Sequence, residues 1–290
     1  MSDCCGSVWH TELESKAHGK TFRVDRMLID TVTPYQRLRI FDNEAVGKVF
    51  LLDDVVMLTE RDEYIYHEML VHPALLAHPD PKRILIVGGG DGGTLREVVK
   101  HPEVEEAVLC EIDEVVIAES RRHLPFTAVG LDHPKSTVVV GDALEYIRNH
   151  RASFDVILVD STDPVGCAEG LFRNPFYEDV KKALKKGGIM AQQTESPIYE
   201  ITWFTRIYKE LDASFPHVHC YQAVIPMYPG ALWTFTLAGT DTDPRLHFSR
   251  NRALALEDLR YYSAEMHEAA FVLPRWVRTE LDTLKGQSDG

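Results

Sequence analysis

From Arg83 onward the chain repeats one pattern, a short apolar run followed by a stretch with helical spacing. The runs are RILIV, EAVLCEI, STVVVGD, FDVILVDS and GGIMAQQT. Strands separated by helices return by crossovers, which gives a parallel sheet covered on both faces. The predicted fold is therefore a doubly wound α/β sheet. HVHCYQAVIP and ALWTFTLAG read as a terminal hairpin, and the tail LEDLRYYSAEMHEAAFVLPRWVRTEL reads as helical.

The chain upstream differs. Residues from about 20 to 60 are rich in Val, Ile, Leu, Phe and Thr, and are interrupted at TP, DNEAVG and LDD, which predicts a small antiparallel sheet. RDEYIYHEMLVHPALLAH then carries Tyr64, Ile65, Met69, Leu70, Leu75 and Leu76 at helical spacing, with Pro73 expected to kink or restart the helix. The division expected is a β-strand domain over 1–62 and a catalytic α/β domain over 63–290.

Composition narrows the function. The 290 residues are 44% hydrophobic and 26% charged, as in a globular protein with a sizeable core. No apolar run approaches the roughly 20 residues of a membrane span. No secretion signal is read at the start, so a cytoplasmic location is expected. The five cysteines form no CxxC, which argues against a disulfide framework or a zinc site; adjacent Cys4 and Cys5 read as an unstructured pair. A net charge of −14 disfavours nucleic acid as a partner.

VGGGDGG follows a predicted strand and precedes a predicted helix, and it fits GxGxxG through Gly88, Gly90 and Gly93. Glu111 ends the second strand about 20 residues on, where a carboxylate can hold ribose hydroxyls. Asp142 ends the third strand, where it can accept from an adenine amino group. Both could instead be helix N-caps. Asp91 lies inside the glycine turn. A pyrophosphate would want no anion there, whereas a sulfonium nucleoside such as S-adenosylmethionine would suit it.

A second acidic cluster, DSTDPVG, ends the fourth strand and presents Asp160 and Asp163. Tyr66, His67, Gln193, Glu195 and Tyr228 are expected opposite. An anionic pocket rimmed by aromatics and amides suits an alkyl diamine, whose methylenes pack on tyrosine faces.

The segments YQRL, TERDEYIYHEM, GGGDGG, CEID, GDA, DSTDPVG, LFRNPFYE and IPMYPG, in this order, resemble the spermidine synthases, the polyamine aminopropyltransferases. The resemblance covers roughly residues 9–240. It implies an N-terminal β domain, a Rossmann-like class I methyltransferase-type fold, and a homodimer or homotetramer. It implies decarboxylated S-adenosylmethionine as donor and putrescine as acceptor, giving spermidine and methylthioadenosine, with no cofactor. Gln36, Glu111, Asp142 and Ala143 would bind the nucleoside, and Asp91 the donor's propylamine end. Tyr66, His67, Ser161, Thr162, Asp163, Gln193 and Tyr228 would line the diamine channel. Asp160 would be the catalytic base. Cys167 stands where the family often has proline near the adenine. Met57 and Met227 occupy variable channel positions, which leaves putrescine, cadaverine, spermidine and agmatine open as acceptors.

Three other functions compete for the same residues. A methyltransferase would use intact S-adenosylmethionine, and Asp91 and the pair Asp160 and Asp163 argue against it. A NAD-dependent oxidoreductase rests on GxGxxG alone, and a non-catalytic sensor is disfavoured by the intact acids. His10, His217 and His219 are expected to be structural, the last two sharing a strand face without acids nearby, and no metal is assigned. KKALKKGG is expected to be a helix end capped by glycine. Residues 164–175 could form a lid.

Overall fold

The structure is a computed structural model that describes residues 7–164 and 166–288. Cys4 and Cys5 fall outside the described residues, as does the Cys167 side chain.

The chain opens with a hairpin, β1 (Val8–Leu13) and β2 (Gly19–Val24), which forms its own two-stranded sheet. A four-stranded antiparallel sheet follows: β3 (Arg26–Val32), β4 (Arg37–Asn43), β5 (Gly47–Leu52) and β6 (Val55–Thr59). The expected small sheet is thus two sheets, and the strands start at Val8, upstream of the expected start. His10, Glu12 and Phe22 of the hairpin are buried while their neighbours Trp9 and Leu13 are exposed, the alternation of a strand packed on one face.

Helix α1 (Glu63–Ala77) runs unbroken through Pro73. It is buried along almost its whole length, because it crosses one face of the main sheet while the C-terminal segment covers its other side. The crossover region comprises β7 (Arg83–Gly88), α2 (Gly93–Val99), β8 (Glu106–Glu111), α3 (Glu114–His123), α4 (Pro125–Ala128), β9 (Ser136–Val140), α5 (Ala143–Arg148), β10 (Phe154–Asp160), α6 (Asn174–Ala183), β11 (Leu184–Gln193), α7 (Ile201–Ser214), β12 (His217–Val224) and β13 (Leu232–Gly239). The sheet order is β12-β13-β11-β10-β7-β8-β9. Strands β11 to β9 in that order pair in parallel, and β13 is antiparallel to both its neighbours. This is the doubly wound sheet with a terminal hairpin that the apolar runs predict.

The order reverses between β7 and β10, and the carboxyl ends of these strands diverge to open a crevice. One apolar layer beneath the sheet holds Phe154, Phe176, Tyr177 and Phe204; the opposite layer holds Met69, Leu70, Leu75 and Phe235.

Two local expectations change. KKALKKGG ends a helix only in its first three residues, 181–183, which close α6; Lys185, Lys186 and the two glycines open β11 with Gly187 at φ 77°, so no glycine caps the helix. Pairing with β10 through Phe154 and Leu184 draws this polar stretch into the sheet. The tail is helical only in pieces: α8 (Arg250–Ala255), α9 (Ala264–Ala270) and α10 (Arg275–Ser288). Between α8 and α9, the Glu68 carboxylate accepts the amides of Arg260, Tyr261 and Tyr262 at 2.7–2.9 Å, which holds that stretch out of a helix. Pro274 separates the last two helices.

Candidate active site

Two adjoining cavities lie over the carboxyl ends of the strands, about 1010 and 910 Å³ counted to their open mouths. The first is lined by Gln36, Gly88, Gly90, Asp91, Glu111, Asp142 and Ala143. The second is lined by Asp163, Gln193, Glu195 and Glu200, with Glu12 and Glu14 from the hairpin. Tyr66, Ser161, Thr162, Tyr228 and Met57 border both. His67 and Asp160 line the first. The strands thus bring together the residues read from the sequence as nucleoside-binding and those read as diamine-binding.

The glycine turn is shaped by close approach. Gly88 has φ 79°, and a Cβ there would meet the Asp160 carbonyl oxygen at 2.3 Å. A Cβ on Gly93 would enter the His67 imidazole, with Cε1 at 2.3 Å. These positions admit only glycine because β10 and α1 press against the turn.

Glu111 is not a helix cap. Its Oε1 accepts the Asp113 amide at 2.9 Å, and Asp113 itself caps α3. Burial pushes the Glu111 carboxyl up to about 7, against the backbone amides that favour its charge. Gln36 Nε2 donates to Asp113 Oδ2 at 3.2 Å, so it is aimed by the same acidic turn. Asp142 does cap α5, accepting from Leu144 at 2.8 Å, and lines the cavity as well.

Asp91 Oδ1 accepts the Gly93 amide at 2.9 Å and lies 3.4 Å from His67 Nε2. His67 Nδ1 donates to Glu63 Oε2 at 2.6 Å, and Arg96 clamps both oxygens of Glu63 at 2.9 and 3.0 Å. Burial opposes a charge on His67, but Asp91 and Glu63 outweigh it and hold the imidazole up at about 9. Burial raises the Asp91 carboxyl, with Asp160 adding to the rise and the imidazolium opposing it. His67, Asp91 and Asp160 each place one atom within 4.8 Å of the other two. The net negative charge of this trio makes a receptor for an ammonium group.

Asp160 Oδ2 accepts the Thr94 hydroxyl at 2.7 Å, and Tyr66 donates to the same carboxylate. Tyr228 Oη donates to the Met57 carbonyl at 2.7 Å, and its ring meets that of Tyr66 edge-on at 5.8 Å. In the second cavity a carboxyl–carboxyl hydrogen bond joins Asp163 and Glu195, and burial raises both. Glu195 sits at φ 68°, its carbonyl pinned by the Thr234 amide and hydroxyl at 3.1 and 2.7 Å. A non-glycine residue held there marks a position that the surroundings over-determine.

Glu63, Thr94, Arg96, Glu12, Glu14 and Glu200 were absent from the sequence reading. Only Glu63 carried a signal, four residues before His67 and so on the same helix face. His219 also differs from expectation: its Nε2 lies 2.7 Å from Asp243 Oδ1, an acid that follows β13 and is remote in sequence.

Fold and site together define a Rossmann-like α/β protein whose sheet carries, at its carboxyl edge, an acidic glycine turn and two adjoining cavities lined by carboxylates. Residues 63–249 match the family model described as the spermine/spermidine synthase domain, and residues 8–60 match the spermidine synthase tetramerisation domain. A polyamine aminopropyltransferase of Desulforudis audaxviator is 46% identical over 271 residues, 93% of this chain and 98% of the relative. That of Thermoanaerobacter sp. strain X514 is 44% identical over 95% of this chain and 99% of its own length. A crystal structure of spermidine synthase in complex with the transition state analogue AdoDATO superposes with a TM-score of 0.93 at 40% identity, covering 95% of each chain. Spermidine synthase from Thermotoga maritima superposes at 0.90 and 39%, covering 95% of this chain and 94% of the other. The chain belongs to the spermine/spermidine synthase family and is an enzyme, a polyamine aminopropyltransferase.

Proposed function

We propose that the site transfers the aminopropyl group of decarboxylated S-adenosylmethionine to putrescine, giving spermidine and 5'-methylthioadenosine. The observation that carries this reading is the place of Asp160. It lines the nucleoside cavity, and the residues directly after it, Ser161 to Asp163, line the diamine cavity.

The chemistry is displacement at carbon. The nitrogen lone pair of the acceptor attacks the methylene bound to sulfur. The carbon–sulfur bond breaks, its electrons go to sulfur, and a neutral thioether leaves. Positive charge moves from sulfur to nitrogen, and a carboxylate beside that nitrogen stabilises it and then accepts its proton. A carboxylate also favours the charged form of a free amine. Asp160 therefore acts by placing the amine and taking the proton, with Tyr66 and Thr94 fixing the carboxylate. Gln36, Glu111, Asp142 and Ala143 would hold the nucleoside, and Asp91 the donor's ammonium. Tyr66, His67, Ser161, Thr162, Asp163, Gln193 and Tyr228 would line the path of the diamine.

We further read residues 1–62 and 63–290 as the two domains and the protein as a cytoplasmic homo-oligomer, a dimer or a tetramer, working without cofactor or metal. The match of residues 8–60 to a tetramerisation domain supports assembly. Among the described residues no helix is long and apolar enough to cross a membrane.

Incubation with putrescine and either decarboxylated or intact S-adenosylmethionine, followed by mass spectrometry, tests the reaction. Spermidine and methylthioadenosine from the decarboxylated donor alone are expected. S-adenosylhomocysteine from the intact donor would overturn the reading in favour of methyl transfer.

A further inference from the structure

The hairpin β1–β2 contributes Glu12, Leu13 and the adjoining Glu14 to the wall of the second cavity. Across its two strands Glu12 pairs with Lys20. Glu12 is buried, and its Oε2 accepts the Val56 amide at 3.1 Å. Its Oε1 lies 3.2 Å from Lys20 Nζ, and Glu14 Oε1 lies 3.4 Å from the same nitrogen. That ammonium also donates to the Met227 carbonyl at 2.5 Å, and its field favours the ionised form of Asp163. All the charged side chains that line this cavity among the described residues are acidic. Lys20 pairs with two of them, and its single positive charge offsets one of their two negative charges.

We propose that Lys20 is a specificity-determining residue that sets the far limit of the amine acceptor, favouring a diamine over a triamine. The inference rests on the aminopropyl-acceptor reading above and extends it to substrate length. A diamine with its attacking nitrogen at Asp160 places its one remaining ammonium near Asp163 and Glu195. A triamine in the same pose carries a further ammonium on toward the hairpin. The two carboxylates there already share the Lys20 ammonium, so the new cation gains less attraction than free carboxylates would give and meets a like charge beside them, which disfavours the longer amine. A neutral residue at position 20 frees Glu12 and Glu14 to receive that third ammonium.

Lys20 also ties the hairpin to the loop that carries Tyr228, through the Met227 carbonyl. Loss of that tie alone would affect all acceptors alike, so the decisive readout is a ratio between acceptors that differ in one charge. The acceptors are putrescine, spermidine and N-propylputrescine, in which a hydrogen replaces the terminal ammonium of the aminopropyl arm of spermidine. With decarboxylated S-adenosylmethionine as donor, wild-type kcat/KM is expected to be higher for N-propylputrescine than for spermidine. In Lys20→Gln the ratio of spermidine to putrescine is expected to rise by about tenfold, and the preference for N-propylputrescine to shrink. Lys20→Arg keeps the charge and is expected to keep the wild-type ratios.

An unchanged spermidine-to-putrescine ratio in Lys20→Gln overturns the inference. If that variant does not fold, the wild-type comparison decides: equal use of spermidine and N-propylputrescine overturns it, and preference for the latter supports it. Failure of the underlying reading looks different, because the wild type then forms no methylthioadenosine with any amine, and the inference falls with it.

Discussion

Asp91 Oδ1 lies 3.4 Å from His67 Nε2, and this pair joins the glycine turn after β7 to the buried face of α1. The imidazole is a counter-ion built into the site. It keeps Asp91 ionised against burial, and it is itself kept protonated by Glu63, which Arg96 holds.

This arrangement makes stability depend on pH. The folded-state pKa of His67, about 9, lies above its ordinary value of 6.5. The stabilisation is therefore complete below pH 6.5 and is lost as pH rises through 9. The shift corresponds to about 3 kcal/mol. Thermal melting followed from pH 6 to 10 should show this loss, and Glu63→Gln should move it to lower pH. A Glu63→Gln profile that overlays the wild type would mean that Glu63 does not hold the proton on His67.

Asp160→Asn should keep the fold and the hydrogen bond from Thr94 while losing the proton acceptor. The expected fall in kcat is about 100-fold to 10,000-fold, with a smaller change in donor affinity. Single-turnover kinetics and donor titration separate the two effects. A variant within a few-fold of wild type would place the base elsewhere.

Asp91 should choose between donors. The intact nucleoside adds a carboxylate at the chain end, and an anion facing Asp91 is disfavoured. The expected discrimination is about 1–3 kcal/mol, by analogy with an unpaired buried polar group. Binding of both donors to Asp91→Ala, measured by calorimetry on protein with an unchanged melting temperature, should show the gap narrowing. An unchanged gap would sink the assignment.

Glu111 should make donor binding pH-dependent. Its folded pKa, about 7, is raised from 4.5, so folding favours the neutral acid and the carboxylate forms only as pH rises through 7. The ribose hydroxyls donate best to the carboxylate. Donor affinity should therefore weaken as pH falls from 8 to 6, and Glu111→Gln should flatten that slope while lowering affinity at pH 8. Affinity that is equally steep in the variant would assign the titration to another group.

Much of the site was legible in the chain because it sits where the chain changes direction. Gly88, Asp91, Glu111, Asp142 and Asp160 each fall at the carboxyl end of an apolar run or just past it, and parallel pairing brings those ends to one edge. The alternation of runs and helices determines the sheet, since buried parallel strands need continuous apolar sequence. Strand β1 lies upstream of the expected strands because its six residues carry no continuous apolar run, and pairing with β2, which falls within the expected region, makes it a strand. The role of KKGG was misread because propensity favours a lysine-rich helix end, whereas register with β10 decides for a strand. Sequence by itself determined the fold class and the acids along one sheet edge, because both are set by local periodicity. Tertiary structure alone decided that Arg96 holds Glu63, that Asp243 reaches His219, and that Lys20 pairs with Glu12 and Glu14 beside the second cavity. Such charge pairs join elements with no fixed spacing in the chain, and their energies depend on distance and burial that only packing supplies.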